Sequence, residues 1–223
     1  MILSEGGNIF KTAEGDALTQ RIARADIPKT VAWLEKVTGL DFTQDKGSDG
    51  VPARWLGSTG RKDSSGDLDL QVDANQVTKP QLISALEVWC KKSGIPNADI
   101  MNQGRKKNDG WIKDAGVQVH FRTPISGDPR RGFVQTDFMF AHKPQWHQFI
   151  LSGNTLRNIL INSMAKSLGW KLNQHDGIYT REDNKFVTDD PNRMAKILLN
   201  PNASARDLAS VETILRALKM DPK

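Results

Sequence analysis

The run from Leu56 to Leu70, LGSTGRKDSSGDLDL, holds the residues best suited to chemistry. Asp67 and Asp69 stand one residue apart in DLDLQVD, whose period-2 alternation marks a half-buried strand, so their carboxylates project from one face. Two carboxylates that close disfavour each other's ionisation, and they stay ionised together only where cations neutralise them. Hard oxygen donors of this kind select Mg²⁺, with Mn²⁺ able to substitute. Upstream, glycines at 57, 60 and 66 let backbone N–H groups turn toward a ligand, while Ser58, Ser64, Ser65, Arg61 and Lys62 add donors for phosphate oxygens. Phosphoryl transfer on two metal ions needs a further acid, and Asp137 in the alternating strand FVQTDFMF at 133–140 is the candidate.

A mixed α/β frame must position these groups. Val31, Leu34 and Val37 recur at helical spacing after Asp26, a candidate cap, and Gly39 stops that helix. Residues 43–52 form a polar loop, and Arg54, Trp55 and Leu56 make a short strand-like run into Gly57. Thr78 and Gln81 make a capping box before the helix LISALEVWCKK, which Gly94 and Pro96 end. The stretch 97–115 has no clear period and reads as a loop or irregular insertion. VQVHFRT at 117–123 and FVQTDFMF, separated by PISGDPRRG, predict adjacent antiparallel strands.

The remaining residues change character. NTLRNILINSMAKSLG predicts a helix closed by Gly169, KLNQHDGIYT a turn with a short strand, and DDPNRMAKILL a helix capped by Asp190 with Pro191 in its first turn. SARDLASVETILRALK, with Ser204 and Asp207 as a capping box, predicts one last helix. The expected fold is α+β, with a mixed-sheet domain over 1–145 and a small, mainly helical domain over 146–223.

Composition narrows the partners. The chain has 223 residues and a formal charge of +5, and nowhere does it hold the 18 consecutive apolar residues a membrane span needs. MILSEGGNIF carries an acid and two glycines where an export signal has a basic start and an apolar stretch, so the expected location is cytoplasmic, with no membrane partner. A lone cysteine, Cys90, excludes an internal disulfide and a thiolate zinc cluster, and its apolar surroundings predict helix packing. Four scattered histidines, at 120, 142, 147 and 175, make no zinc motif, and His147 reads as a surface residue. Tryptophans 33, 89, 111 and 146 read as packing residues. Basic residues gather in loops rather than along a helix, and Arg105, Lys106 and Lys107 are candidates for gripping a nucleic-acid backbone.

At G-S, the basic serine-rich loop, D-x-D and the later strand Asp, the sequence resembles the polymerase-beta-like nucleotidyltransferases. SSGDLDL at 64–70 and FILSGNTLRNILINSMAKSLGWKLNQHDGIYTRE at 149–182 are most similar to the palm and thumb of the X family of DNA polymerases, and NKFVTDDPNRMAKILL resembles that family's closing piece. The compact chain with its SEGGN-like start also resembles phage-encoded nucleotidyltransferases. The resemblance, over about 56–199, implies a polymerase-beta-like palm and a thumb-like domain. It implies two Mg²⁺ ions on Asp67, Asp69 and Asp137, with Asp137 nearest the acceptor hydroxyl. Gly57, Ser58, Arg61 or Lys62, Ser65 and Gly66 would contact the phosphates of an NTP or dNTP. Leu151, Ser152 and Gly153 would line the sugar, Asn158 the base edge, and Asn162 the template or minor-groove side. Ile150 and Leu151 replace the family's aromatic pair against the ribose, which leaves sugar choice open. The expected reaction is nucleotidyl transfer, with loss of pyrophosphate, to a nucleic-acid 3′ end. Alternatives are nucleotidylation of a protein or small molecule, and a non-catalytic nucleic-acid-binding or virion protein that retains the palm.

Overall fold

The computed structural model describes residues 9–47, 49–95 and 109–220. The chain divides into two compact units, Met1–Ala141 and His142–Lys223. No helix among the described residues is long and apolar enough to cross a membrane.

The first unit begins with the short strand β1 (Ile22–Ala23), a 3-10 turn and helix α1 (Ile27–Thr38). Gly39 ends α1 in the left-handed conformation, φ 72°, donating its N–H to Glu35 O, as a residue without Cβ readily does. Asp26 makes no side-chain cap and instead accepts from Arg131 Nη2 at 2.9 Å. β2 (Ser64–Ser65) pairs with β1 and runs into β3 (Asp67–Asp73). Helix α2 (Lys79–Lys92) carries the expected capping box, with Thr78 N–H donating to Gln81 Oε1 at 2.8 Å. β4 (Ile112–Ala115), β5 (Gln118–Pro124) and β6 (Phe133–Ala141) complete a four-stranded mixed sheet of order β3-β6-β5-β4. β3 is parallel to β6, and the other pairings, β5 with β6 as expected, are antiparallel. β4 lies in a stretch read as irregular, because an edge strand with one fully buried apolar side chain, Ile112, shows no alternation.

Register divides this sheet into two faces. Leu68, Leu70 and Val72, Val134, Phe138 and Phe140, and Val119 and Phe121 share the face that packs on Ile27, Val31 and Leu34 of α1 and Leu82, Leu86 and Cys90 of α2. Each such side chain, buried, contributes about 1.5–3 kcal/mol. The other face is polar: Asp67 and Asp69, Gln135 and Asp137, then His120 and Arg122. Cys90 is fully buried in α2, where burial and then the Glu87 charge push its thiol up to about 12. Trp33, Trp89 and Phe121 pack ring on ring, and Trp111 packs edge-on to Phe133 with Arg122 over its face.

The second unit contains α3 (Pro144–Leu151), α4 (Thr155–Ser167), a three-stranded antiparallel sheet of β7 (Trp170–Asn173), β8 (Gly177–Thr180) and β9 (Phe186–Thr188), then α5 (Pro191–Leu198) and α6 (Val211–Met220). The sequence predicts one short strand here, since strands of three and four residues are too brief to show a period. Asp190 caps α5 as expected, accepting from Asn192 N–H at 2.8 Å. The last expected helix is broken. Ser204 and Asp207 cap only a 3-10 turn over Ala205–Leu208, and Ser210 then starts α6 through reciprocal bonds with Thr213. His147 is fully buried rather than on the surface. It lies on the inward stripe of α3 with Trp146 and Ile150, its ring stacks on His175 at 5.4 Å, and burial followed by the His175 charge pushes it down to about 4.

Candidate active site

The parallel register of β3 on β6 sets Asp69 beside Asp137 and Asp67 beside Gln135. Asp67, Asp69 and Asp137 each offer a carboxylate oxygen, and these oxygens lie within 4.8 Å of one another, the one cluster of its kind among the described residues. Adjacent strands 4.8 Å apart place cross-strand side chains at this separation without distortion. Asp137 is buried and the other two half-buried. Burial first, then the charges of Asp67 and Asp137, push the Asp69 carboxyl up to about 8. Negative charge is thus concentrated at one point, and an all-oxygen donor set of this kind fits Mg²⁺ or Mn²⁺.

The loop before β3 is folded onto the triad. Leu56 N–H donates to Asp69 O at 2.9 Å, and Trp55 forms a single bridge with Leu70, so the expected strand run at 54–56 shrinks to that contact. Gly57 then turns at φ 54°, where a Cβ would sit 2.7 Å from Asp69 Oδ2. Only glycine lets the backbone pass this close to the carboxylate. Thr59, fully buried, accepts from Asp69 N–H at 2.9 Å. Ser58 Oγ donates to Ser65 Oγ at 3.3 Å, and Ser65 Oγ to Ser58 O at 3.1 Å. Ser65 is fully buried, so its hydroxyl closes the loop, and Gly66 joins β2 to β3.

The two candidate cations differ. Arg61 Nε pairs with Asp49 Oδ2 at 2.7 Å, and its Nη1 donates to Trp55 O at 2.6 Å, which ties the loop to the segment before it. Lys62 is exposed and has no ion pair among the described residues. Sequence reasoning missed two further arginines. Arg21 donates to Ser64 Oγ and O at 3.1 and 3.0 Å, and Arg24 to Lys62 O and Arg61 O at 3.0 and 3.1 Å, with an ion pair to Asp63. Both belong to the segment around β1, and nothing in their local sequence reveals that pairing with β2 brings them to this loop.

Arg105, Lys106 and Lys107 lie outside the described residues. Leu151, Ser152, Gly153, Asn158 and Asn162 belong to the second unit. Gly153 and Asn158 serve packing there. A Cβ on Gly153 would lie 2.3 Å from Arg157 Nη1, and Asn158 accepts from Arg157 Nη1 at 2.8 Å while donating to Ile150 O at 3.0 Å. Leu151 is half-buried, and Ser152 and Asn162 are exposed.

No family model matches the chain, and no curated protein matches its sequence. Among solved structures, the crystal structure of Leishmania infantum polymerase beta in its ternary P/T complex matches with a TM-score of 0.51 at 13% identity, over 85% of this chain and 77% of that one. The mixed sheet, its flanking helices and the acidic cluster on its polar face therefore stand on a polymerase-beta-like fold.

Proposed function

We propose that the protein is a metal-dependent nucleotidyltransferase, moving a nucleoside monophosphate from an NTP or dNTP to an acceptor hydroxyl, with a nucleic-acid 3′ end as acceptor. The convergence of Asp67, Asp69 and Asp137 within 4.8 Å on the polar face of the sheet carries this reading. A non-catalytic palm gains nothing from three carboxylates gathered at one point, where burial and the charges of Asp67 and Asp137 push the Asp69 carboxyl up. The matched neighbour's ternary P/T complex favours nucleic acid over a protein or small molecule as acceptor.

In this reading Asp67, Asp69 and Asp137 hold two Mg²⁺ ions, which supply charge neutralisation and Lewis-acid activation of the hydroxyl. The Gly57–Gly66 loop seats the triphosphate, with Ser58 Oγ and backbone N–H groups facing its oxygens. The acceptor oxygen attacks the α-phosphorus in line, the bond from that phosphorus to the β-bridging oxygen breaks, and pyrophosphate leaves. Asp137 lies on the acceptor side and takes part in removing the hydroxyl proton. Catalysis is mainly positioning and electrostatics.

The engagement of Arg61 by Asp49 and the Trp55 carbonyl supports Lys62 as the phosphate cation. Lys62→Met is expected to raise the nucleotide KM about tenfold with little change in Tm, because an ammonium–phosphate contact contributes roughly 1.4 kcal/mol or more. Arg61→Met is expected to do the reverse, lowering Tm through loss of the Asp49 pair and the Trp55 carbonyl bond. Steady-state kinetics and thermal denaturation of both variants check the assignment.

The acceptor is tested by incubating the protein with Mg²⁺ or Mn²⁺, each α-labelled NTP and dNTP, and primer DNA, tRNA or a protein extract. Label on the primer or tRNA is the expected outcome. Label on protein alone would move the acceptor to the nucleotidylation class.

A further inference from the structure

Two side chains given no role by the sequence converge on one atom of the triad. His120 Nδ1 lies 2.7 Å from Asp137 Oδ1, and Gln135 Nε2 donates to the same oxygen at 2.8 Å. His120 and Gln135 are 7% and 2% exposed, so water competes little for these bonds. The β5–β6 register pairs His120 directly with Asp137, and Gln135 precedes Asp137 by two residues on the same face. A carboxylate oxygen can only accept, so His120 presents its proton at Nδ1. Ile9 N–H donates to Gln135 Oε1 at 3.0 Å. A backbone N–H can only donate, so the oxygen end of the amide faces Ile9 and the NH₂ end must face Asp137.

We propose that His120 and Gln135 are positioning residues that pin Oδ1 of Asp137 and leave Oδ2 as its metal-facing oxygen, with the N-terminal segment at Ile9 setting Gln135 in turn. This rests on the metal-binding reading above. The χ2 torsion of aspartate is broad, so sterics alone do not hold its carboxylate in one plane. Repulsion from Asp67 and Asp69 would turn an unpinned Asp137 away from them, and two buried donors on one oxygen oppose that rotation. Partners of this kind behind a metal ligand typically change metal affinity or activity 10- to 100-fold.

The test uses the full-length protein, with Mn²⁺ alone as probe and its free concentration followed by electron paramagnetic resonance. His120→Phe fills the ring volume without a donor, and Gln135→Met does the same for the amide. Each is expected to weaken Mn²⁺ binding about tenfold or more. His120→Asn, whose Nδ2 sits near the position of the imidazole Nδ1, is expected to retain affinity within about threefold of wild type by restoring the donor. A residue that only supported folding would lower Tm without moving the Mn²⁺ affinity of the folded protein, and asparagine would not rescue it. Gln135→Met, with Ile9→Pro removing the backbone donor, carries the test if His120→Phe does not fold. Unchanged Mn²⁺ affinity in folded Gln135→Met and His120→Phe would overturn the positioning role and leave the metal site standing. Wild-type protein that binds no Mn²⁺ would overturn both.

Discussion

Asp69→Asn is expected to make the metal-free protein more stable and to abolish nucleotidyl transfer. In the folded chain the Asp69 carboxyl titrates near 8, against an ordinary value of 3.8, because burial and then Asp67 and Asp137 oppose its ionisation. The native state therefore holds a proton that the unfolded chain releases. That stabilisation is complete below pH about 4 and is lost as pH rises through 8, so the metal-free protein is least stable in alkaline solution. Asparagine carries no charge and removes this dependence. Its Tm should exceed that of wild type by about 5 °C at pH 8.5, the gap closing toward pH 4. Divalent metal should reverse the order, raising the Tm of wild type most at high pH and leaving the variant nearly unchanged. Transfer should fall at least about a thousandfold, equivalent to roughly 4 kcal/mol of transition-state stabilisation. Thermal denaturation at several pH values with and without Mg²⁺, alongside a label-transfer assay, measures both. A variant less stable than wild type at pH 8.5 without metal would show that the triad carries no unneutralised charge.

Gly153→Ala is expected to unfold the second unit rather than to alter nucleotide handling. Arg157 is 1% exposed and has no carboxylate partner among the described residues. Its guanidinium is held instead by carbonyl oxygens, Nε donating to Leu208 at 2.6 Å and Nη1 to Phe149 at 2.9 Å, and it lies 4.2 Å over the Phe149 ring. Burial pushes it down to about 10. A methyl group on Gly153 would fall 2.3 Å from Nη1 and 2.5 Å from Cδ, so the side chain must leave its site and its carbonyl partners must lose their donors. Two bonds to a charged donor, each contributing about 1.5–3 kcal/mol, set the loss at about 3–6 kcal/mol, or a fall in the unit's Tm of roughly 15 °C or more. Gly169→Ala is the control. It meets nothing within 4 Å and carries only the strain of φ 75°, about 1 kcal/mol. Equal losses from the two variants would remove the packing explanation, and a stable Gly153→Ala with a raised nucleotide KM would support the sugar-lining one.

These two glycines and Arg61 show where a sequence can be read and where it cannot. The triad was legible because a strand's period of two puts Asp67 and Asp69 on one face, and because Asp137 interrupts an apolar alternation with a charge. Helix ends were legible where local chemistry decides them, as at Gly39, Thr78 and Asp190. The roles of Arg21, His120 and Gln135 were hidden, since each depends on a strand register that no local pattern specifies. Arg61 in GRK reads as a phosphate ligand by type, yet Asp49, 12 residues upstream, takes its guanidinium. Gly153 reads as part of a sugar-lining turn, and the arginine four residues later requires, for a separate reason, that it lack a side chain.

In the proposed function Asp67, Asp69 and Asp137 carry out nucleotidyl transfer on divalent metal. Pyrophosphate release is its most direct readout, measured with Mg²⁺, a mixture of nucleoside triphosphates and primer DNA, on wild type and on Asp137→Asn matched for folded fraction. Release by wild type is expected to be stoichiometric with label joined to the primer, suppressed by chelation of the metal and absent in Asp137→Asn. Equal pyrophosphate release by the two proteins, or none from wild type with any primer or tRNA while the triad binds Mn²⁺, would contradict it.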